Sequence, residues 1–267
     1  MLIEYIHGTT ASELRQHLKC PPGSFGTPAQ DAKFRKQMAK IHAEILSFKF
    51  DKIGSLYYSE KSDAFYIGPE ANMGLGPWKS SREFYADLSD HLLRKMLTVG
   101  SPMAKESPSF VLPLVLARLM RIYGEEADGP FRLVNGDFGP HNILVDGEFN
   151  IVGVVDFDAV MAAPLEAAAQ YPVFSSMDLD PPGVPITKQA VLERIERTRP
   201  LMERYKANLS SYEAGNEHGL SPVGSRLMST SSHIWVAFQR YEHLLKGENE
   251  IWFASALNML REHAEDK

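Results

Sequence analysis

A single cysteine, Cys20, stands in 267 residues. One thiol excludes a disulfide framework within the chain and any zinc site built on cysteines, and it fits a reducing compartment. No apolar run approaches the roughly 18–20 residues of a membrane-spanning helix. The N-terminal MLIEYIHGTT is interrupted by Glu4 and has no basic flank, so it does not read as a signal peptide. Cations are not in surplus: 28 Lys and Arg face 34 Asp and Glu, a formal net charge of −6. That balance argues against a nucleic-acid surface and is compatible with a cationic small substrate. Internal repeats and low-complexity tracts are absent. The expectation is a cytoplasmic protein without a nucleic-acid or membrane partner.

What is present is apolar material, 44% of the chain, enough for one large domain or two small ones. MLIEYI reads as a strand. Thr10-Ala11-Ser12-Glu13 and Thr27-Pro28-Ala29-Gln30 both have capping-box spacing, so helices should start there. Phe34, Met38, Ile41, Ile45 and Phe48 continue the second at helical spacing. GSLYYSE and DAFYIG read as short strands. Tyr85, Leu88, Leu92 and Met96 mark another helix. Residues 110–123 form a buried helix ending at Gly124, with Pro113 tolerated in its first turn. Helical patterns return at 187–206, 225–246 and 249–264, the first interrupted or kinked at Pro200. Without βαβ repetition, the class is α+β and mainly helical.

The chemistry concentrates in FRLVNGDFGPHNILVDGEFNIVGVVDFDAVM, residues 131–161. FRLV is extended, GDFGPHN is a loop, and NILVD and NIVGVVD are strands joined at Asp146-Gly147. Asp137 follows a strand end, Asn142 opens the next strand, and Asp156 closes the one after. A hairpin returning on itself can bring Asn142 and Asp156 together. Their hard oxygens suit Mg²⁺ carrying nucleotide phosphates. Asp137 is then free to orient an attacking hydroxyl and accept its proton. Asp and Asn are also ordinary turn and cap residues, and Asp146 fits that role alone. Asp158 is a further metal or substrate candidate, and Glu166, Asp178, Asp180, His141 and Trp78 are weaker ones.

GDFGPHNILVD followed by IVGVVDFD resembles the aminoglycoside phosphotransferase family, which includes choline-kinase-like small-molecule kinases, and AVMAAPLEAAAQYP is similar to its fungal members. The resemblance implies a protein-kinase-like fold and ATP-dependent phosphate transfer to a small-molecule hydroxyl. It makes Asp137 the base, Asn142 and Asp156 magnesium ligands with Asp158 beside them, and the backbone of Glu4 and Ile6 an adenine edge. Mg and ATP are the implied cofactors. Asn135 stands where the family has a histidine that braces the magnesium aspartate's loop; an Asn can donate and accept hydrogen bonds there.

MLIEYIHGTT looks like the hinge between the family's two lobes. Residues 1–9 are therefore expected to be hinge and 10–267 a helical C-terminal lobe, with the N-terminal lobe missing and its glycine-rich loop and lysine with it. ANMGLGPWK, at 71–79, lacks the G-x-x-x-x-G-K pattern and reads as a substrate-side loop or a turn. On this reading the chain is truncated and its transfer reaction impaired. The alternatives are a non-catalytic kinase-like binding module or truncated gene product, whose exposed hinge face would favour a dimer or protein partner, and a magnesium-dependent phosphoesterase.

Overall fold

The structure, a computed structural model, describes residues 6–99, 107–125, 128–158, 160–172, 180–214, 222–241, 243 and 246–266. Most of the strand expected over MLIEYI lies outside them. β1, Thr9–Thr10, leads directly into α1, Ala11–His17. Thr10 Oγ1 accepts from the Glu13 amide while the Glu13 carboxylate accepts from the Thr10 amide, the reciprocal capping box expected from the spacing. Thr27 and Gln30 repeat the device at α2, Pro28–Leu46, with Pro28 in its first turn. Next come β2 (Lys49–Phe50), β3 (Gly54–Ser59), β4 (Ala64–Ile67) and α3 (Ser81–Val99). α4, Leu112–Tyr123, takes Pro113 in its first turn and ends at Gly124.

β5 (Phe131–Asn135), β6 (Ile143–Val145), β7 (Ile151–Val154) and β8 (Val160–Ala163) follow, then the short α5 (Leu165–Ala168). The chain continues as α6 (Gln189–Ala214), α7 (Thr230–Arg240) and α8 (Lys246–Glu265). α6 carries Pro200 inside it instead of stopping there.

The strands form a three-stranded sheet, β1-β6-β7, and a five-stranded sheet, β2-β5-β8-β3-β4. Every strand pair is antiparallel. β5 lies inside the larger sheet, Lys49 opposite Arg132 on one side and Asn135 opposite Val160 on the other. Two apolar cores flank it. Phe84, Leu116, Leu119, Trp235 and Phe238 anchor one, among α3, α4 and α7. Phe25, Phe34, Met38, Phe149 and Leu209 anchor the other, between α2, the β6–β7 hairpin and α6. Val134 of β5 packs against both. Completely burying a side chain such as Phe34 contributes about 2–3 kcal/mol.

The class is α+β and helices hold more residues than strands, as expected, but the two sheets, built from strands between Thr9 and Ala163, stand with the C-terminal helices. The fold is not a hinge with a helical lobe alone. The expectations of a missing N-terminal lobe, of a truncated chain and of a function impaired by that loss are overturned. The physical reason is the brevity of the strands. β2 and β8 have two and four residues, too few to show an alternating pattern, and each gains its hydrogen bonds from partners far away in sequence.

Candidate active site

β5 delivers Asp137 two residues beyond its last residue, into a tight loop. The Phe138 amide donates to the Asn135 carbonyl, and the Asn142 amide donates to the Gly139 carbonyl. Both oxygens of the Asp137 carboxylate are held. Asn142 Nδ2 donates to Oδ2 at 3.0 Å and to the Asp137 carbonyl at 3.1 Å. His141 Nε2 lies 3.0 Å from Oδ1. Asn142 is buried, whereas Asp137 and His141 are nearly half exposed. The carboxylate is thus fixed in direction yet open to a small molecule.

The hairpin closes as its sequence suggests. Ile143 pairs with Val154, and the Val155 amide donates to the Asn142 carbonyl at 2.9 Å. Asn142 and Asp156 therefore sit at neighbouring ends of β6 and β7. Asp156 adopts a positive φ of 61°, a left-handed conformation that Asp tolerates better than most residues. Its Oδ1 lies 3.5 Å from the Asp158 amide.

Asn135 connects the two halves of the site. Its Oδ1 accepts from the Asp137 amide at 2.9 Å, and its Nδ2 donates to the Asp156 carbonyl at 3.4 Å. This is the bracing that its two-sided hydrogen-bonding capacity allows.

Asp137 and Asp158 open into a cleft of about 1100 Å³. α3 lends Phe84, Leu88 and Leu92 at helical spacing, and α7 lends Trp235 and Phe238. The turn after β4 adds Asn72 and Met73, held because the Glu70 carboxylate accepts from both of their amides. That turn belongs to the stretch read as a substrate-side loop.

The other candidates do not share one place. Asp180 lines the cleft, while Glu4 and Asp178 lie outside the described residues. Ile6 is 40% exposed and rests over Gly153 of β7, where an added Cβ would meet its Cδ1 at 3.1 Å. Trp78 is a core residue whose Nε1 donates to Asp87 Oδ2 at 2.7 Å. Glu166 is buried and acts as a tie. It accepts from the Tyr85 hydroxyl at 3.0 Å and from the Glu125 amide at 2.5 Å, linking α3 to the end of α4. Burial pushes its carboxyl above the usual range.

His42 escaped the sequence reading. It is buried in α2, lines the cleft, and places Nδ1 3.0 Å from the Tyr205 hydroxyl of α6. Its ring lies 5.5 Å from that of Phe138, next to Asp137. Burial lowers its pKa to about 4. A lone His in an amphipathic helix gives no signal of this before the helices are packed.

The model of one family, the phosphotransferase enzyme family, matches residues 2–167, more than half of the chain. The chain belongs to the phosphotransferase enzyme family. The matched segment ends within α5 and includes the Asp137 loop and the β6–β7 hairpin. Comparison with curated proteins gave no match.

Among the described residues no group of three or more His, Cys, Asp or Glu side chains is placed to hold a metal ion. The Asn142 Nδ2 bonds to Asp137 commit the nitrogen of that amide and leave its oxygen as a hard donor. With Asp156 and Asp158 the donor set is all oxygen and carries two negative charges, which fits Mg²⁺ completed by phosphate oxygens and water. No described helix is long and apolar enough to cross a membrane.

Proposed function

We propose that this protein transfers the γ-phosphate of ATP to a hydroxyl group of a small molecule. Asp137 is the base, and Asn142, Asp156 and Asp158 hold Mg²⁺. The observation that carries this reading is the Asp137 carboxylate, fixed through both oxygens and facing the cleft. Asp137 orients the hydroxyl and takes its proton as the new O–P bond forms and the bond to the departing ADP breaks. Asn142 keeps the carboxylate turned toward the acceptor. Asn135 holds the Asp137 and Asp156 loops at one spacing. Bound Mg²⁺ supplies neutralisation of the charge on the phosphates. The backbone of Ile6, with that of Glu4, is assigned to the adenine edge. A reaction that consumes ATP suits the cytoplasm.

The test is Mg-dependent ATP turnover and nucleotide binding by the wild-type chain and by D137N. The expected result is turnover reduced by about 10³-fold or more with nucleotide affinity retained. Equal turnover in the two proteins would remove Asp137 from the chemistry and overturn the reading.

A further inference from the structure

Gln170 stands two residues past α5 and lines the cleft. Its amide nitrogen is committed. Nε2 donates to the Glu166 carbonyl at 2.7 Å, to the Ser232 carbonyl at 3.2 Å and to Ser232 Oγ at 3.3 Å. Ser232, fully buried in α7, gives its own hydroxyl proton to the Ala169 carbonyl at 2.9 Å, so its Oγ can only accept from Gln170. Carbonyl oxygens also only accept. The atom facing these three groups is therefore the nitrogen, and the amide's orientation is decided by its partners. Oε1 takes no hydrogen bond among the described residues and is not sealed from solvent. A neutral acceptor is thus held in a fixed direction at the cleft wall, with its lone pairs open.

Of the described groups assigned above to the nucleotide and its metal, only Asp158 lines this cleft; Ile6, Asn142 and Asp156 do not. Asp137 does line it, so the cleft lies on the acceptor's side of the proposed base. A row of rings joins that base to Gln170. Phe138 lies beside His42, His42 beside Tyr205 and Tyr205 beside Tyr171, with centroids 5.5, 6.2 and 5.9 Å apart. Asp137 and Gln170 are the chain neighbours of the two ends of the row. We infer that Gln170 is a specificity-determining residue of this cleft. Its Oε1 accepts a hydrogen bond from a second polar group of the acceptor, a hydroxyl or an N–H, while the first hydroxyl lies at Asp137. The acceptor class is a molecule with at least two hydrogen-bond donors, such as a diol or an amino alcohol. A molecule with one hydroxyl leaves an acceptor unpaired once it displaces water, and that is costly. The placement of the first hydroxyl rests on the phosphotransfer reading; the hydrogen bond at Gln170 does not.

The test uses matched probes, para-benzenedimethanol and the corresponding cyclohexanedimethanol, each against its monomethyl ether. Binding is measured by saturation-transfer NMR without nucleotide, so it does not depend on turnover. The side-chain carbonyl of Gln170 is followed by NMR in wild-type protein carrying carbon-labelled glutamine. Each diol should bind about 5-fold or more tightly than its ether and shift the Gln170 carbonyl resonance. Q170M should erase the preference. S232A, which loosens the same tie but keeps Oε1, should retain it. Equal binding of diol and ether, binding of neither, a Gln170 carbonyl that does not respond, or a preference lost equally in S232A and Q170M would overturn the inference. The carbonyl readout decides the matter even where Q170M does not fold. Failure of the phosphotransfer reading would instead appear as D137N turnover equal to wild type, with the Gln170 response unchanged.

Discussion

Asn142 donates one amide nitrogen to two acceptors of Asp137, its backbone carbonyl and its carboxylate Oδ2. A single buried side chain thereby sets both the position and the direction of the proposed base. Replacing it with aspartate keeps the shape, removes the donor, and sets a second carboxylate about 3 Å from the first. N142D should lower turnover by about 10²-fold or more and unfold about 1–3 kcal/mol more easily. Steady-state kinetics and urea denaturation check the two parts. Unchanged stability would mean that the bond contributes nothing to the folded loop.

Asn135 should behave as a brace and not as a reacting group. N135A loses an acceptor for the Asp137 amide and a donor to the Asp156 carbonyl. About 1–2 kcal/mol of stability should go with them. The affinity for Mg²⁺ should weaken by roughly 10-fold, since groups that orient metal ligands matter nearly as much as the ligands. N135H should recover much of both losses. Titration of Mg²⁺ against nucleotide binding gives the readout.

His42 makes stability depend on pH on the acid side. Its pKa is about 4 in the folded chain against an ordinary value near 6.5, so the unfolded chain binds the extra proton first. Stability contributed by the neutral ring is complete above about pH 6.5 and is lost as the pH falls toward 4. The loss is of the order of 3 kcal/mol. Urea midpoints between pH 4 and 7 should therefore rise less steeply in H42Q than in wild type. Parallel curves would show that His42 is not neutral and buried in solution.

Glu166 acts with the opposite sign. Burial raises its pKa when folded, so its stability contribution is full below the ordinary carboxylate value and is lost as the pH rises through the raised one. E166Q keeps an acceptor for the Glu125 amide and has no charge to bury. Its stability relative to wild type should improve as the pH climbs from about 4.5, and chemical denaturation across that interval measures it.

Local chemistry was readable from the chain before any fold was known. Thr10 with Glu13, and Thr27 with Gln30, announce their helices because a cap is settled within one turn. The β6–β7 hairpin and the β3 and β4 strands are legible for the same reason, their partners being close in sequence. The five-stranded sheet was not. Gly54 pairs with Ala162 and Lys49 with Arg132, and no short window of sequence contains either pair. In the site, the spacing of Asp137, Asn142 and Asp156 marks the polar groups. His42 and the apolar cleft walls needed helices from different parts of the chain to be packed together. Glu166 reads as an acidic candidate in sequence, and only its burial reveals a tie.

The placement of β5 inside the larger sheet also governs how the molecule opens. Its neighbours come from residues 49–50 on one side and 160–163 on the other, so neither edge of the strand can fray independently of distant chain. Amides of Leu133 and Val134 should exchange with deuterium only on global unfolding, at the slowest rate in the protein. Newly synthesised chain must emerge past Ala163 before β5 gains its second neighbour. Until then the segment that carries Asp137 is an open strand edge, and this is the interval in which a growing chain is most prone to pair with the wrong partner.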